Sequence, residues 1–300
     1  MCLFPWTASI DPDGGRPSPD PDGNLKLSCG KCHECISLRA TEWATRARHE
    51  ISLHEHNCFL TLTYDDEHLP SHLLVKHPFQ RFLKRLREKT KKKISYIVSH
   101  EYGSQFFRPH HHAIIFGYDP LTQNFLRNTK SGHPLFTSPE ISELWQNGFH
   151  SIGQANEKTA YYIASYALKG ASKEIYLPNG EFVTVSDSFD CSKRPGIGLN
   201  FLKKNYKQLV ASKTILPRYY QKKLADLDPD LLQDYEDYKM QYVKNNSLQT
   251  QLAKLTINNS KNMLSDNEFR SAPDAQIGIT LENYLKTDIN SYARYKKENL

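Results

Sequence analysis

The sequence predicts an α+β protein. A central antiparallel sheet is flanked by helices, with an N-terminal cysteine-rich module and a mostly helical C-terminal extension. Three observations carry this. Stretches with period-two alternation intermix with stretches of three-four spacing along the middle of the chain. Two of the strand-like stretches, 94–103 and 110–116, are joined by a short connection through Arg108-Pro109, as in a hairpin-like pair. Cys29-Gly30-Lys31-Cys32-His33-Glu34-Cys35 fits neither pattern and stands apart. Intermixed elements around a hairpin-like centre pack best as an antiparallel sheet with helices against it.

The elements follow in order. Residues 11–24 are rich in Pro, Asp and Gly without periodicity, and predict an exposed loop. Ile36, Ala40, Trp43, Ala44, Ala47 and Ile51 step by three and four, which gives a long amphipathic helix with Arg39, Arg46 and Arg48 among its polar positions. Phe59 to Tyr64 is a strand. Residues 76–93 hold nine Lys or Arg and one acid, Glu88, with Phe79, Phe82, Leu83 and Leu86 at helical spacing. That is a helix with an apolar inner face and a basic outer one. The density of Lys84, Arg85, Arg87, Lys91, Lys92 and Lys93 favours a phosphate-facing surface over a merely solvated one.

Ile94, Tyr96 and Val98 alternate with Ser95, Ser99 and Glu101 in a strand ending at Gly103, and His110-His111-His112 opens another that runs into Ala113-Ile114-Ile115-Phe116. Ser138 caps a short helix that begins at Pro139 and ends near Trp145, and Phe149 to Ile152 is a short strand. Asn156 is a good N-cap, Glu157 suits the first turn, and Lys169 and Gly170 close the helix between them. Pro178-Asn179-Gly180 marks a hairpin turn inside 174–185. Residues 217–265 have mostly helical character, and 266–300 carry little apolar periodicity. There is no internal repeat and no phosphate-loop signature, which argues against an ATP-driven helicase domain.

The chemistry concentrates in three places. Alternation along a strand puts His110 and His112 on one face and His111 on the other. Glu101 on the neighbouring strand can join the pair. Two imidazoles and a carboxylate suit Mg²⁺ or Mn²⁺ in use, although imidazole also binds later transition metals. Tyr162, Tyr166 and Lys169 are spaced i, i+4 and i+7 and share one helix face. A tyrosine pair alone is more often packing, but a lysine completing the row is unexpected in a core stripe.

Six cysteines are present: Cys2, Cys29, Cys32, Cys35, Cys58 and Cys191. The spacing of Cys29, Cys32 and Cys35 is compatible with a structural Zn²⁺ site, with Cys2 or His33 as fourth ligand. Cys2 is favoured because it would tie back a loose N-terminal segment. Iron–sulfur ligation ranks lower, since the adjoining Pro and a fourth nearby Cys are missing. The bland reading is free reduced thiols.

Three hundred residues can bury a good core in one or two domains. Apolar content is 38%, charged residues are 24%, and the formal net charge is +6. No apolar stretch is long enough to span a bilayer, and Met1-Cys2-Leu3-Phe4-Pro5-Trp6 does not have the form of a signal peptide. A reducing cytosol is the expected compartment, so a disulfide framework is not expected.

The three sites together resemble the HUH endonuclease superfamily, in which a His-hydrophobic-His strand binds the metal and a helix carries the tyrosine nucleophile. Phe59-Leu60-Thr61-Leu62-Thr63-Tyr64, Arg108-Pro109-His110-His111-His112 and Tyr162-Ile163-Ala164-Ser165-Tyr166-Ala167-Leu168-Lys169 come in the order of its three motifs. Cys29 to Cys35 and Arg194-Pro195-Gly196-Ile197-Gly198 are similar to hallmarks of one subgroup, the microvirus (gokushovirus-type) replication initiation proteins. The resemblance covers roughly residues 1–220. His111 departs from it, standing where the family usually has a hydrophobic or aromatic residue.

The resemblance implies a five-stranded antiparallel HUH-type sheet with the histidine strand at its centre. The chain then divides into an N-terminal Cys module and amphipathic helix over 1–56, a nuclease domain over 57–170 and an accessory region over 171–300. It implies a rolling-circle initiator that nicks and rejoins a single-stranded DNA origin through a 5′-phosphotyrosine, in the cytoplasm of a bacterial host. Catalysis would fall to Tyr162, Tyr166 and Lys169, with metal at Glu101, His110 and His112. Host helicase and polymerase are the expected partners, and no membrane. Rival readings are a relaxase- or transposase-like strand transferase, and a zinc-stabilised single-stranded DNA-binding protein without catalysis. Relaxases usually place the tyrosine before the histidine motif, and the binding protein leaves the Glu, His and Tyr set unexplained.

Overall fold

The computed structural model describes residues 6–10, 17–30, 32–69, 76–103, 108–168, 172–176 and 182–242, with backbone only at 33, 166–168, 172–173 and 175–176. Cys2, Lys169, Gly170, residues 11–16 and 243–300, and the Pro178-Asn179-Gly180 turn lie outside the described residues, as do the side chains of His33 and Tyr166. In chain order the elements are β1 (Trp6–Ser9), β2 (Ser18–Pro19), β3 (Leu25–Leu27), α1 (His33–Ile51), β4 (Asn57–Tyr64), α2 (His77–Thr90), β5 (Ser95–Tyr102), β6 (Pro109–Phe116), β7 (Asn124–Asn128), β8 (Pro134–Thr137), α3 (Pro139–Leu144), β9 (Gly148–Gln154), α4 (Glu157–Leu168), β10 (Ser172–Tyr176), β11 (Phe182–Ser186), β12 (Ser188–Cys191), α5 (Leu199–Ala211) and α6 (Arg218–Leu227). Residues 229–242 are also helical. No described helix is long and apolar enough to cross a membrane.

The fold is α+β, with a large antiparallel sheet in the order β12-β5-β6-β4-β9-β8-β7. The sheet therefore has seven strands among the described residues, where five were expected. The histidine strand β6 is third, and β4 takes the centre. Two additions account for this. β12 pairs with β5 as an outer strand, and the β7–β8 pair extends the sheet beyond β9. Every residue of β7 is exposed, so it lacks the apolar alternation by which a half-buried strand is recognised. At the N-terminus, Ser18–Pro19 pairs with β1 rather than staying in a loop, and β3 completes a small three-stranded sheet.

Register sorts the side chains of the large sheet into two faces. On one face Leu60, Leu62, Val98, Ala113, Ile115 and Ile152 pack with Phe79, Phe82, Leu83 and Leu86 of α2 and with Ile141 and Leu144 of α3. Burying each of these large apolar side chains contributes roughly 1.5–3 kcal/mol. Helix α2 has Pro78 in its first turn and ends at Lys91, which adopts the left-handed cap conformation at φ 53°. Helix α4 packs on the other face, against β5, β6 and β12, and also against α1.

The Arg194-Pro195-Gly196-Ile197-Gly198 motif clasps α1. Glu50 accepts a hydrogen bond from the Gly198 N–H at 2.7 Å, and Arg46 Nε donates to the Ile197 carbonyl at 3.1 Å. The Arg46 guanidinium lies between the Trp43 and Tyr219 rings, 3.9 and 4.0 Å from their centroids. Gly198 has φ +79°, and a Cβ there would come 2.1 Å from the Tyr220 hydroxyl. Only glycine meets both demands.

The chain divides into two compact units, one of residues 1–127, 134–206 and 216–220, the other of 128–133, 207–215 and 221–300. The second unit buries Leu224 and Tyr235. Within it the Tyr238 hydroxyl donates to the Lys213 carbonyl, and Lys239 Nζ donates to Gln221 Oε1 at 2.8 Å.

Candidate metal centre and tyrosine helix

Cross-strand register builds the site. In β5, β6 and β4, Glu101 pairs with His110 and His110 with Thr63; one pleat along, Ser99 pairs with His112 and His112 with Thr61. These six residues share the face on which α4 packs. The ligand atoms of Glu101, His110 and His112 all lie within 4.8 Å of one another. The two imidazole centroids are 5.2 Å apart. Thr61 Oγ1 lies 3.0 Å from His112 Nδ1, so an Nδ1–H donating to that oxygen leaves the Nε2 lone pair directed at the cluster. Burial, then the charge of neighbouring His110, holds the His112 pKa well below the usual imidazole range. It is therefore neutral, as a metal ligand must be. Ser99 donates a hydrogen bond to Glu101 Oε1. The donor set fits a divalent cation by number, type and proximity.

Gly103, just beyond β5, permits this arrangement. A Cβ at 103 would stand 3.1 Å from His110 Cε1.

Helix α4 begins with a reciprocal cap: the Thr159 N–H donates to Asn156 Oδ1 at 3.0 Å, and the Asn156 N–H donates to Thr159 Oγ1 at 2.9 Å. The cap fixes the helix start and hence which tyrosine faces the sheet. The Tyr162 hydroxyl lies 3.4 Å from His112 Nε2, and its ring meets His112 edge-on at 5.2 Å between centroids. Tyr161 turns away to α1, where its hydroxyl is 3.1 Å from Ser37 Oγ. Tyr166 lies one turn further along α4, and its side chain is outside the described residues, as is Lys169.

His111 points to the opposite face and is fully buried. Its Nε2 is 2.8 Å from the Tyr64 hydroxyl and its Nδ1 is 2.7 Å from His100 Nδ1. Burial pushes His100 down to about 4, with Lys76 adding to the effect, and pushes His111 well below the ordinary range. Both are neutral. A Tyr64 O–H donated to Nε2 and a His111 N–H donated to His100 satisfy the buried ring. His111 therefore ties β4, β5 and β6 together from behind.

Lys84 and Arg87 are exposed on α2, as are Lys91, Lys92 and Lys93 after it, while Arg85 is half-buried. Arg85 donates to Gln146 and Arg87 to the Ile94 carbonyl. Because α2 covers the His111 face, this basic surface belongs to the opposite side of the sheet from Glu101, His110 and His112. The sulfurs of Cys29, Cys32 and Cys35 lie within 4.8 Å of one another at the start of α1, with Cys32 as its N-cap. A helix N-terminus favours thiolates there.

Sequence reasoning left Thr61 undecided between site and packing, and gave Ser99 no role. The strand parity that places the histidines also places these two hydroxyls, but the pairing register that brings them together is not visible in one strand alone.

Residues 57–171 match the family of replication-associated proteins described by ORF2. The chain is 33% identical over 230 residues to the replication-associated protein VP4 of Bdellovibrio phage phiMH2K, covering 71% of this chain and 72% of that protein. It is 33% identical over 205 residues to the replication-associated protein ORF2 of Spiroplasma virus 4, covering 64% and 62%. Over 231 residues it is 28% identical to the replication-associated protein ORF4 of Chlamydia phage 1, covering 71% and 57%. No solved structure matches the chain.

Proposed function

The chain belongs to the family of phage replication-associated proteins, of the microvirus type that its motifs resemble, and from that membership we propose that it starts rolling-circle replication by nicking and rejoining an origin strand. The observation that carries this reading is the Tyr162 hydroxyl, 3.4 Å from His112 Nε2 and beside the Glu101 and His110 donors. Those donors suit Mg²⁺ or Mn²⁺, which when bound supplies charge neutralisation at a phosphodiester.

The side chains do the rest. The Tyr162 oxygen attacks phosphorus as its proton passes to solvent. The P–O3′ bond breaks, and the departing 3′ oxygen takes up a proton. The products are a 5′-phosphotyrosine and a 3′-OH able to prime a polymerase. Rejoining reverses the step: a 3′-OH attacks the phosphotyrosine, the bond to the phenolic oxygen breaks, and no ATP is consumed. Tyr166, one turn on, serves as the second nucleophile while the first still holds DNA. Lys169, the next position along that face, stabilises the developing negative charge. Thr61 and Ser99 fix the orientation of His112 and Glu101.

The basic side of α2 with Lys91, Lys92 and Lys93 binds phosphates away from the reacting one. Cys29, Cys32 and Cys35, with Cys2, hold a structural Zn²⁺. The substrate is a single-stranded origin, and host helicase and polymerase extend the freed end, in the cytoplasm of a bacterium. Incubating the full chain with candidate single-stranded origin oligonucleotides and Mn²⁺ tests this. Nicking with a covalent protein–DNA adduct is expected. It should disappear in His110→Ala and His112→Ala, and nicking that survived in both would refute the assignment.

A further inference from the structure

The face of the sheet that holds the metal donors continues past β6 as an open strip. On β4 and β9 the side chains facing α2 and α3 are buried: Leu60, Leu62, His150 and Ile152. Their neighbours on the other face, Thr61, Thr63, Ser151 and Gly153, are half-exposed and uncharged. One large ring ends this strip. Phe149 is 69% exposed. It pairs with Thr63, which pairs with His110, which pairs with Glu101. The four form one row across four adjacent strands. Two strand spacings separate Phe149 from His110, about 10 Å.

A single exposed phenylalanine is ordinary on a protein surface. This one is set apart by its row. It shares a face and a register line with the three metal donors, on a surface of hydroxyls and glycine without charge. A strand whose phosphate sits at the donors has bases beside it, and unpaired bases bind proteins by stacking on aromatic rings. We propose that Phe149 is the stacking platform for an unpaired base flanking the phosphodiester held at Glu101, His110 and His112. This rests on the reading of that cluster as the nicking centre. Stacking is tolerant of sequence, so Phe149 holds the strand in position and selects unpaired over paired DNA.

The test compares wild type, Phe149→Ala and Phe149→Trp in the full chain. The probes are single-stranded oligo(dT) and an abasic phosphodiester strand of equal length, with Mn²⁺ binding measured in parallel. Phe149→Ala should bind oligo(dT) roughly 5- to 150-fold more weakly, the range for one stacked base. It should bind the abasic strand and Mn²⁺ as wild type does, and Phe149→Trp should retain oligo(dT). Equal affinities of wild type and Phe149→Ala for oligo(dT), or equal losses on both strands, would overturn the proposal. So would wild type sedimenting as a dimer and Phe149→Ala as a monomer, since the ring would then serve a second copy of the chain. If wild type bound neither Mn²⁺ nor single-stranded DNA, the reading beneath the proposal would fall with it.

Discussion

Thr61→Val removes one hydroxyl and nearly conserves volume. Its consequence follows from a single distance, the 3.0 Å between Thr61 Oγ1 and His112 Nδ1. In the native chain the threonine oxygen accepts the Nδ1–H and fixes the tautomer with Nε2 free to ligate. Valine accepts nothing, so the ring can rotate or place its proton on Nε2. Loss of such an outer partner lowers metal affinity by about 10- to 100-fold, equivalent to ~1.4–2.8 kcal/mol. The cost in stability is smaller, about 1 kcal/mol, because Thr61 is half-exposed and water replaces part of the bond. Mn²⁺ titration by calorimetry or electron paramagnetic resonance, beside thermal melts, separates the two effects. Thr61→Ser keeps the oxygen and should restore affinity. A Thr61→Val protein that binds Mn²⁺ as tightly as wild type but melts lower would refute the reasoning and make Thr61 a packing residue.

Three further outcomes are expected. His49 is buried, stacks on Phe201 at 4.1 Å, contacts the Tyr220 hydroxyl at 3.0 Å, and is pushed down to about 4 by burial and then by Arg48. Below about pH 6.5 the unfolded chain gains a proton that the folded one refuses, so this stability is fully present above pH 6.5 and is lost as pH falls toward 4. His49→Gln should lower the proton uptake on unfolding at pH 5 by about one; denaturant titrations at several pH values check this, and an unchanged slope would contradict it. Purified protein should carry about one zinc per chain by elemental analysis, and chelation should lower its melting temperature; an unaltered melt after metal removal would exclude structural zinc. Neutralising Lys84, Arg85 and Arg87 together should weaken binding to DNA of any sequence and flatten its salt dependence; an unchanged salt slope would make α2 only a solvated face.

Period-two parity was enough to separate His111 from His110 and His112, because a strand side chain has only two directions. Helical spacing and the Asn156 cap likewise placed Tyr162 and Tyr161 on different faces of α4, and the observed contacts are with His112 and with Ser37. What one strand cannot display is its register against the next. The rows Glu101–His110–Thr63–Phe149 and Ser99–His112–Thr61 exist only once β5, β6, β4 and β9 are paired. The seventh and outermost strand was illegible for another reason. Asn124-Phe125-Leu126-Arg127-Asn128 buries neither face, so its composition carries no pattern. The Gly196 and Gly198 pair was noticeable in the sequence, yet its partners Glu50, Arg46 and Tyr220 are distant along the chain.

The central claim is that a tyrosine of α4 attacks a phosphodiester held at Glu101, His110 and His112. Mass spectrometry of the covalent adduct trapped on a nicked oligonucleotide tests it most directly. The DNA should map to Tyr162 or Tyr166, with Tyr161→Phe without effect and the Tyr162→Phe/Tyr166→Phe double variant forming no adduct. DNA attached to Tyr161, or to any residue outside α4, would contradict the account.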